Sequence, residues 1–117
     1  MSPAEPSLLF VYGTLMRGQR NHSFLGDARH LGPERTAPAY TLVSLGPFPA
    51  LRESGSTSVE GELYEVDSAI LTALDQLEGH PDFYQRGAVE LADGRAAVTY
   101  FLPAGSHSEA EEISRWP

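Results

Sequence analysis

Glu78 is the residue whose position in this 117-residue sequence points most clearly to acid-base chemistry. It follows Leu71 by seven residues and Leu74 by four, which places it on the apolar stripe of a predicted helix. It also falls in the last helical turn, where the helix dipole disfavours a negative charge. Both features raise the pKa of a carboxyl group, as general acid-base catalysis near neutral pH requires. A solvated glutamate at a fraying helix end would give the same pattern, so this interpretation stays open.

A second candidate lies where a short apolar run meets a glycine, at Tyr12, Gly13, Thr14 and Leu15. A glycine at the end of a buried strand lets the backbone turn sharply, so that the following amides can converge as an anion-binding nest. A glycine that only ends a strand gives the same pattern. The motif alone therefore does not decide between the two.

The other residues that could do chemistry give weaker patterns. The four histidines are not spaced as paired metal ligands, so we expect no metal site at His22, His30, His80 or His107. No serine has a G-x-S-x-G setting and no cysteine is present, which argues against serine-hydrolase and thiol chemistry. Tyr84 and Arg86 follow the predicted helix and either pack its exit against the sheet or line a pocket. On the second interpretation, Tyr84 is a substrate-binding residue.

Apolar and β-branched runs predict the elements that must position these candidates. Strands are expected at 8–12, 39–45, 59–66, 86–91 and 95–102, with a brief extension at 50–52. Asp93-Gly94 is a strong hairpin signal between the last two strands. Only a short connection is expected between residues 26 and 39.

The clearest helix signal covers residues 68–78, with Asp67 as N-cap and Gly79 and Pro81 as the stop. Gly55 and its serine neighbours predict a surface turn, and the tail from residue 105 predicts a short helix or a frayed end. About five strands and one clear helix indicate an α+β fold with a mostly antiparallel sheet.

Composition limits the class of protein. The length favours a single domain, 1–117, with a core at about 8–102 and a polar acidic tail at 103–117. The formal net charge of -8 argues against nucleic-acid binding, which depends on a basic surface. No signal-peptide or membrane-spanning segment is recognisable, so we expect a cytoplasmic protein without a membrane partner. Residues 1–37 carry four arginines against three acids, so an anionic small molecule would meet least repulsion there.

Several strings, in this order, resemble the gamma-glutamylcyclotransferase-like family, and most closely its gamma-glutamylamine cyclotransferase and AIG2-like branch. They are FVYGTLMRGQRNH (10–22), VEGELYEVD (59–67), LDQLEG (74–79) and YQR (84–86). The resemblance covers residues 8–102, and the order of several blocks makes it more specific than any single block. It implies a small, mostly antiparallel β-barrel flanked by helices.

The resemblance also implies an enzyme with Glu78 as the catalytic residue. The loop of Tyr12, Gly13, Thr14 and Leu15 would hold the alpha-carboxylate and amino end of a small gamma-glutamyl substrate. The alpha-amine would attack the gamma-carbonyl of the same molecule, giving 5-oxoproline and a free amine. No metal or organic cofactor is needed for that reaction.

Other functions remain open at this stage. A non-catalytic module that binds a small carboxylate in the same pocket is the main alternative, and a protein-interaction domain using Trp116 and the acidic tail rests on composition alone. The short connections at 27–38 and 53–58 suggest that a lid over the substrate is missing. The sequence does not specify the leaving amine, the oligomeric state or the role of the tail.

Overall fold

The structure of the protein is a computed structural model that describes residues 7–116. Residues 1–6 and 117, which belong to the predicted single domain, lie outside the described residues. The elements are, in order, β1 (Ser7–Val11), a 3-10 helix (His22–Leu25), β2 (Arg29–Arg35), β3 (Tyr40–Ser44), β4 (Pro49–Thr57), β5 (Glu60–Val66), α1 (Ser68–Leu77), β6 (Gln85–Glu90), β7 (Ala96–Phe101) and β8 (Glu111–Ile113). None of the described helices is long and apolar enough to cross a membrane.

The strands form one sheet in the order β2-β5-β1-β7-β4-β3-β8, and β6 pairs with β7 beside this path. Neighbouring strands are antiparallel except where β1 and β4 each meet β7 in parallel. An isolated bridge between Thr36 and Leu91 joins the chain after β2 to the chain after β6. The predicted α+β fold with a mostly antiparallel sheet is confirmed. Its described strands curl toward a barrel without closing through a continuous ladder.

Alternate side chains of β1 build two apolar clusters on opposite faces of the sheet. Leu9 and Val11 are buried in a cluster that also contains Leu74 of α1. Phe10 is buried on the other face, against side chains from β3 to β7. Full burial of one such side chain contributes about 2 kcal/mol. The helices therefore cover one face, while the strands enclose the other.

The helix α1 is held at its start and along its inner face as the sequence predicts. The Asp67 carboxylate accepts a hydrogen bond from the Ile70 N–H at 2.9 Å, which satisfies one of the free donors of the first turn. Leu74 is completely buried against the sheet. The helix ends at Leu77, so Glu78 is its C-cap residue.

Gly61 in β5 lets two central strands approach closely. A Cβ atom there would collide with the carbonyl oxygen of Val11 and with the ring of Phe10. Both residues lie in β1, directly before the candidate loop at 12–15. The glycine of the VEGELYEVD string therefore fixes the strand that leads into that loop.

β2 replaces the short connection that the sequence predicts between residues 26 and 39. Its residues lack an apolar alternation and include Gly32 and Pro33. It lies at the end of the strand order and forms its ladder with β5, so proline and charged side chains are tolerated on its outer edge. Pairing with a neighbour, rather than local propensity, creates this strand.

Two further predictions are wrong. Gly55 does not form a surface turn but lies within β4, at a φ of 145°, where a Cβ atom would collide with Tyr40 and Thr41 of β3. The tail forms neither a helix nor a frayed end at 111–113, because those residues pair with β3 as β8. In both cases β3 supplies the partner that the local sequence does not reveal.

Candidate active site

Glu78 is held at the C-terminal end of α1 by a Schellman-type cap. The next residue, Gly79, has a φ of 68°, and its N–H bonds to the Gln76 carbonyl at 3.3 Å. The N–H of His80 reaches back to the Asp75 carbonyl at 2.9 Å. The Gly79 conformation is strained for a residue with a Cβ atom, which is why a glycine ends the LDQLEG string. The cap fixes the backbone that carries the glutamate side chain.

The carboxyl group of Glu78 is withdrawn from water, and this burial raises its pKa to about 7. Among residues 7–116 no side chain forms an ion pair with it. Desolvation without a compensating cation favours the protonated form. The group is therefore divided between its acid and base forms near neutral pH, as a residue that both takes and gives a proton must be.

The loop after β1 approaches Glu78 from the sheet. Gly13 is required here by contact rather than by its φ angle, because a Cβ atom would lie 2.5 Å from Cγ of Pro49. The N–H groups of Gly13, Thr14 and Leu15 make no hydrogen bond to an acceptor within the described chain. Three successive free donors at the end of a strand are suited to binding an anion.

The loop is closed on itself by its own residues. The Asn21 N–H bonds to the Thr14 carbonyl at 2.9 Å, and the Asn21 side-chain amide bonds to the Thr14 hydroxyl at 3.0 Å. His22 Nδ1 lies 2.9 Å from the Leu15 carbonyl oxygen. Asn21 and His22, the last two residues of the FVYGTLMRGQRNH string, therefore shape the loop. The contact of His22 with the Leu15 carbonyl lies within this loop.

Three tyrosines surround the glutamate, and each hydroxyl is held by a partner. Tyr12 donates to the Tyr100 carbonyl, Tyr84 to the Pro49 carbonyl and Tyr100 to an Asp75 oxygen, all at 2.7 Å. Burial is the largest cause that raises the pKa of all three phenols well above the usual range, and the nearby Glu78 carboxyl group adds to the effect at each. They stay neutral at physiological pH, so they serve as rigid walls rather than as bases.

The site has two compartments. The inner cavity, of about 30 Å³, is lined by Phe10, Val11, Tyr12, Gly13, Thr14, Leu15, Glu78, Thr99 and Tyr100. The adjoining outer pocket, of about 290 Å³, is lined by Thr14, Arg20, Asn21, Phe48, Gln76, Leu77, Glu78, Gly79, Phe83 and Tyr84. The inner space holds about two waters, or a group the size of a carboxylate. Among the described residues, only Thr14 and Glu78 belong to both compartments.

The structure brings together all of the residues that the sequence singled out for this site. Tyr12, Gly13, Thr14, Leu15 and Glu78 line the inner cavity, and Tyr84 lines the outer pocket. Their catalytic and binding roles remain predictions. Arg86, which the sequence also singled out, forms an ion pair with Asp75 at 2.9 Å.

Sequence reasoning missed most of the outer pocket, notably Arg20, Asn21, Phe48 and Phe83. No local signal marked them, because a single aromatic residue such as Phe48 or Phe83 is common on protein surfaces. The described part of the chain contains no cluster of three or more histidine or carboxylate side chains that could hold a metal ion.

Comparisons with known proteins identify the family of this chain. The family model described as "Gamma-glutamyl cyclotransferase, AIG2-like" matches residues 9–116, beyond the range that the motifs cover. The chain is 46% identical over 91 residues, 78% of each chain, to a Vibrio cholerae protein provisionally named a gamma-glutamylcyclotransferase. It is 41% identical over 120 residues to the Homo sapiens gamma-glutamylaminecyclotransferase, covering 93% of this chain and 78% of that one.

A solved structure has the same fold. The crystal structure of an AIG2-like protein from Mus musculus superposes with a TM-score of 0.83 and 31% identity, covering 97% of this chain and 89% of that chain. The family model and the solved structure thus both match nearly the whole described chain. The protein belongs to the gamma-glutamyl cyclotransferase, AIG2-like family of enzymes.

Proposed function

We propose that this protein converts small gamma-glutamyl compounds into 5-oxoproline and a free amine. One observation carries the proposal: Glu78, a carboxyl group with a pKa of about 7, lines the same cavity as Gly13, Thr14 and Leu15. These residues are more than 60 positions apart in the sequence. A carboxyl group beside free backbone donors supports the proposal, because an internal acyl transfer requires a proton carrier and an oxyanion donor.

Substrate orientation supplies much of the catalysis in this proposal. The alpha-carboxylate of the glutamyl group occupies the inner cavity beside the donors of Gly13, Thr14 and Leu15. The gamma-amide then points toward the outer pocket, and the molecule is held folded back on itself. Because nucleophile and carbonyl belong to one molecule, good orientation is worth about 7 to 11 kcal/mol.

Glu78 moves the protons. Its carboxylate form takes a proton from the alpha-ammonium group, and the freed nitrogen forms a bond to the gamma-carbon. The resulting carboxylic acid then gives a proton to the departing nitrogen as the old carbon-nitrogen bond breaks. In all, two protons pass from the alpha-nitrogen to the leaving amine, and Glu78 carries them one at a time. A pKa of about 7 makes both directions accessible.

The negative oxygen that forms on the gamma-carbon also needs a donor. Backbone N–H groups at 13–15 are placed beside the cavity and have no other acceptor in the described chain. A preorganised donor of this kind is worth about 3 kcal/mol in an acyl-transfer transition state. With three N–H groups available, two can bind the alpha-carboxylate and the third can donate to the reacting oxygen.

The test is release of 5-oxoproline by the purified protein from a panel of gamma-glutamyl amines and gamma-glutamyl amino acids. Glu78→Gln should lower kcat by at least about 100-fold, because an amide cannot exchange the proton. Glu53→Gln is the matched control, since Glu53 is exposed on β4, away from both compartments.

Two outcomes would overturn the proposal. One is no release of 5-oxoproline from any compound of the panel. The other is release that Glu78→Gln leaves unchanged. Tight binding of glutamyl or 5-oxoproline ligands, without turnover and with Glu78→Gln harmless, would identify a binding module instead.

A further inference from the structure

The outer pocket beyond Glu78 has an aromatic wall. The rings of Phe83 and Tyr84 meet edge to face at 4.9 Å, and Phe48 packs on Phe83 at 6.0 Å. Phe83 nevertheless stays 37% exposed, although it is a large apolar side chain. An apolar surface held rigidly by ring contacts and left open toward a pocket is suited to an apolar ligand group.

The same pocket contains one cationic side chain among its described lining residues, Arg20. Its Nη2 donates to the Pro47 carbonyl at 3.0 Å, which fixes the guanidinium near Phe48 and leaves other N–H donors available. Arg20 forms no ion pair within residues 7–116, so its charge is not neutralised by a carboxylate of the described chain. In a chain with 16 acids and 8 arginines, the pocket retains a cation with free donors.

We infer that the leaving amine is an amino acid with an aromatic or large aliphatic side chain, whose carboxylate pairs with Arg20. The inference rests on the proposed function and names its substrate class, the gamma-glutamyl dipeptides with an apolar second residue. In the proposed function the glutamyl carboxylate occupies the inner cavity of about 30 Å³, which leaves the outer pocket of about 290 Å³ for the second carboxylate. A cationic leaving group, such as a polyamine, is disfavoured because it would meet a like charge.

Two compounds that differ by one carboxylate test this inference. They are gamma-glutamyl-phenylalanine and gamma-glutamyl-phenethylamine, which share the glutamyl group, the amide and the aromatic ring. The unaltered protein should cleave the acid with a kcat/KM at least about fivefold above that of the amine, the scale of a partly exposed ion pair. Arg20→Gln should remove this preference by lowering the value for the acid alone, and Arg20→Lys should restore part of it.

The control variant is Arg29→Gln, which makes the same charge change on exposed β2, outside both compartments, and should keep the preference. High salt should reduce the preference of the unaltered protein, since exposed ion pairs are screened. Equal kcat/KM values for the two compounds, or an Arg20→Gln variant that lowers both equally, would overturn the inference.

Binding separates this inference from the proposed function. The Glu78→Gln variant should bind the acid more tightly than the amine without consuming either, and Arg20→Gln in that background should equalise the two Kd values. Preferential binding together with no turnover by the unaltered protein would support the pocket assignment and overturn the proposed reaction. Turnover of both compounds without any preference would support the proposed reaction and overturn the pocket assignment.

Discussion

Two carboxyl groups near the C-terminal end of α1, those of Asp75 and Glu78, have opposite surroundings. Asp75 accepts hydrogen bonds from the Tyr100 hydroxyl at 2.7 Å and from Arg86 at 2.9 Å. Glu78, three residues later, has no ion-pair partner within the described chain, and burial raises its pKa to about 7. The two acids at this end of the helix therefore differ in their surroundings, since Asp75 has two side-chain partners and Glu78 has no ion-pair partner among the described residues.

The largest effect should appear in turnover. We expect Glu78→Gln to lower kcat at least about 100-fold and Asp75→Asn to lower it less than about fivefold. Only Glu78 lines the cavity, while an asparagine at 75 can still accept from Tyr100. The measurement is the initial rate of 5-oxoproline release at saturating substrate. Equal losses in the two variants would show that the carboxyl groups act as one unit.

Stability should change in opposite directions at pH 8. Glu78→Gln should raise the free energy of unfolding by about 2 kcal/mol, because it removes a carboxylate whose ionised form the fold disfavours. Asp75→Asn should lower it by about 1 kcal/mol through loss of a partly exposed ion pair. Urea unfolding measures both values.

The sign for Glu78 follows from its raised pKa. Below the usual value of 4.5 the carboxyl group is protonated in folded and unfolded chains, so Glu78→Gln should give no gain at pH 4. The gain should develop between about pH 4.5 and 7 and stay constant above that range. A gain of the same size at pH 4 would contradict the burial explanation.

The pH dependence of activity should report the same group. We expect kcat/KM to fall about tenfold per pH unit below about 6, with a midpoint near 7, since the free enzyme needs the ionised base. Asp75→Asn should leave this midpoint in place. A midpoint between pH 4 and 5 would indicate that a carboxyl group with an ordinary pKa, rather than Glu78, takes the proton.

The smallest effect should come from the cap that positions Glu78. Gly79→Ala should cost about 1 kcal/mol, since its φ is 68° and its Cβ atom would lie 3.1 Å from Cβ of Phe83. The same variant should lower kcat, because the cap orients the glutamate. Gly94→Ala is the matched control, with a φ of 90°, open surroundings and a place in a distant hairpin. It should lose similar stability, measured by Tm, without loss of kcat.

Sequence reasoning succeeded where one segment carries its own signal. The capped amphipathic helix and the strand that ends at Gly13 are local patterns, and they placed Glu78 and the 12–15 loop correctly in the fold. Sequence reasoning failed where an element forms only because another strand pairs with it. β2 has no apolar alternation and exists because β5 pairs with it, and β8 exists because β3 does.

The outer pocket was missed for the same reason. Arg20 belongs to the loop after β1, Phe48 precedes β4 and Phe83 follows α1, so three distant segments build one wall. No spacing along the chain connects them. Their meeting depends on contacts such as the Tyr84 hydroxyl on the Pro49 carbonyl, which ties the segment after α1 to the start of β4.

One stretch of the chain forms most of the inner cavity, whereas several segments form the outer pocket, and this difference has a practical consequence. Six consecutive residues, 10–15, form most of the inner cavity, so a change at any one of them shifts its neighbours and the buried sheet behind them. The outer pocket is built from three separate segments that meet through side-chain contacts, such as Phe48 on Phe83 at 6.0 Å and Arg20 on the Pro47 carbonyl at 3.0 Å. Redesign for a new amine should therefore change the side chains of these three segments together and leave residues 10–15 unaltered.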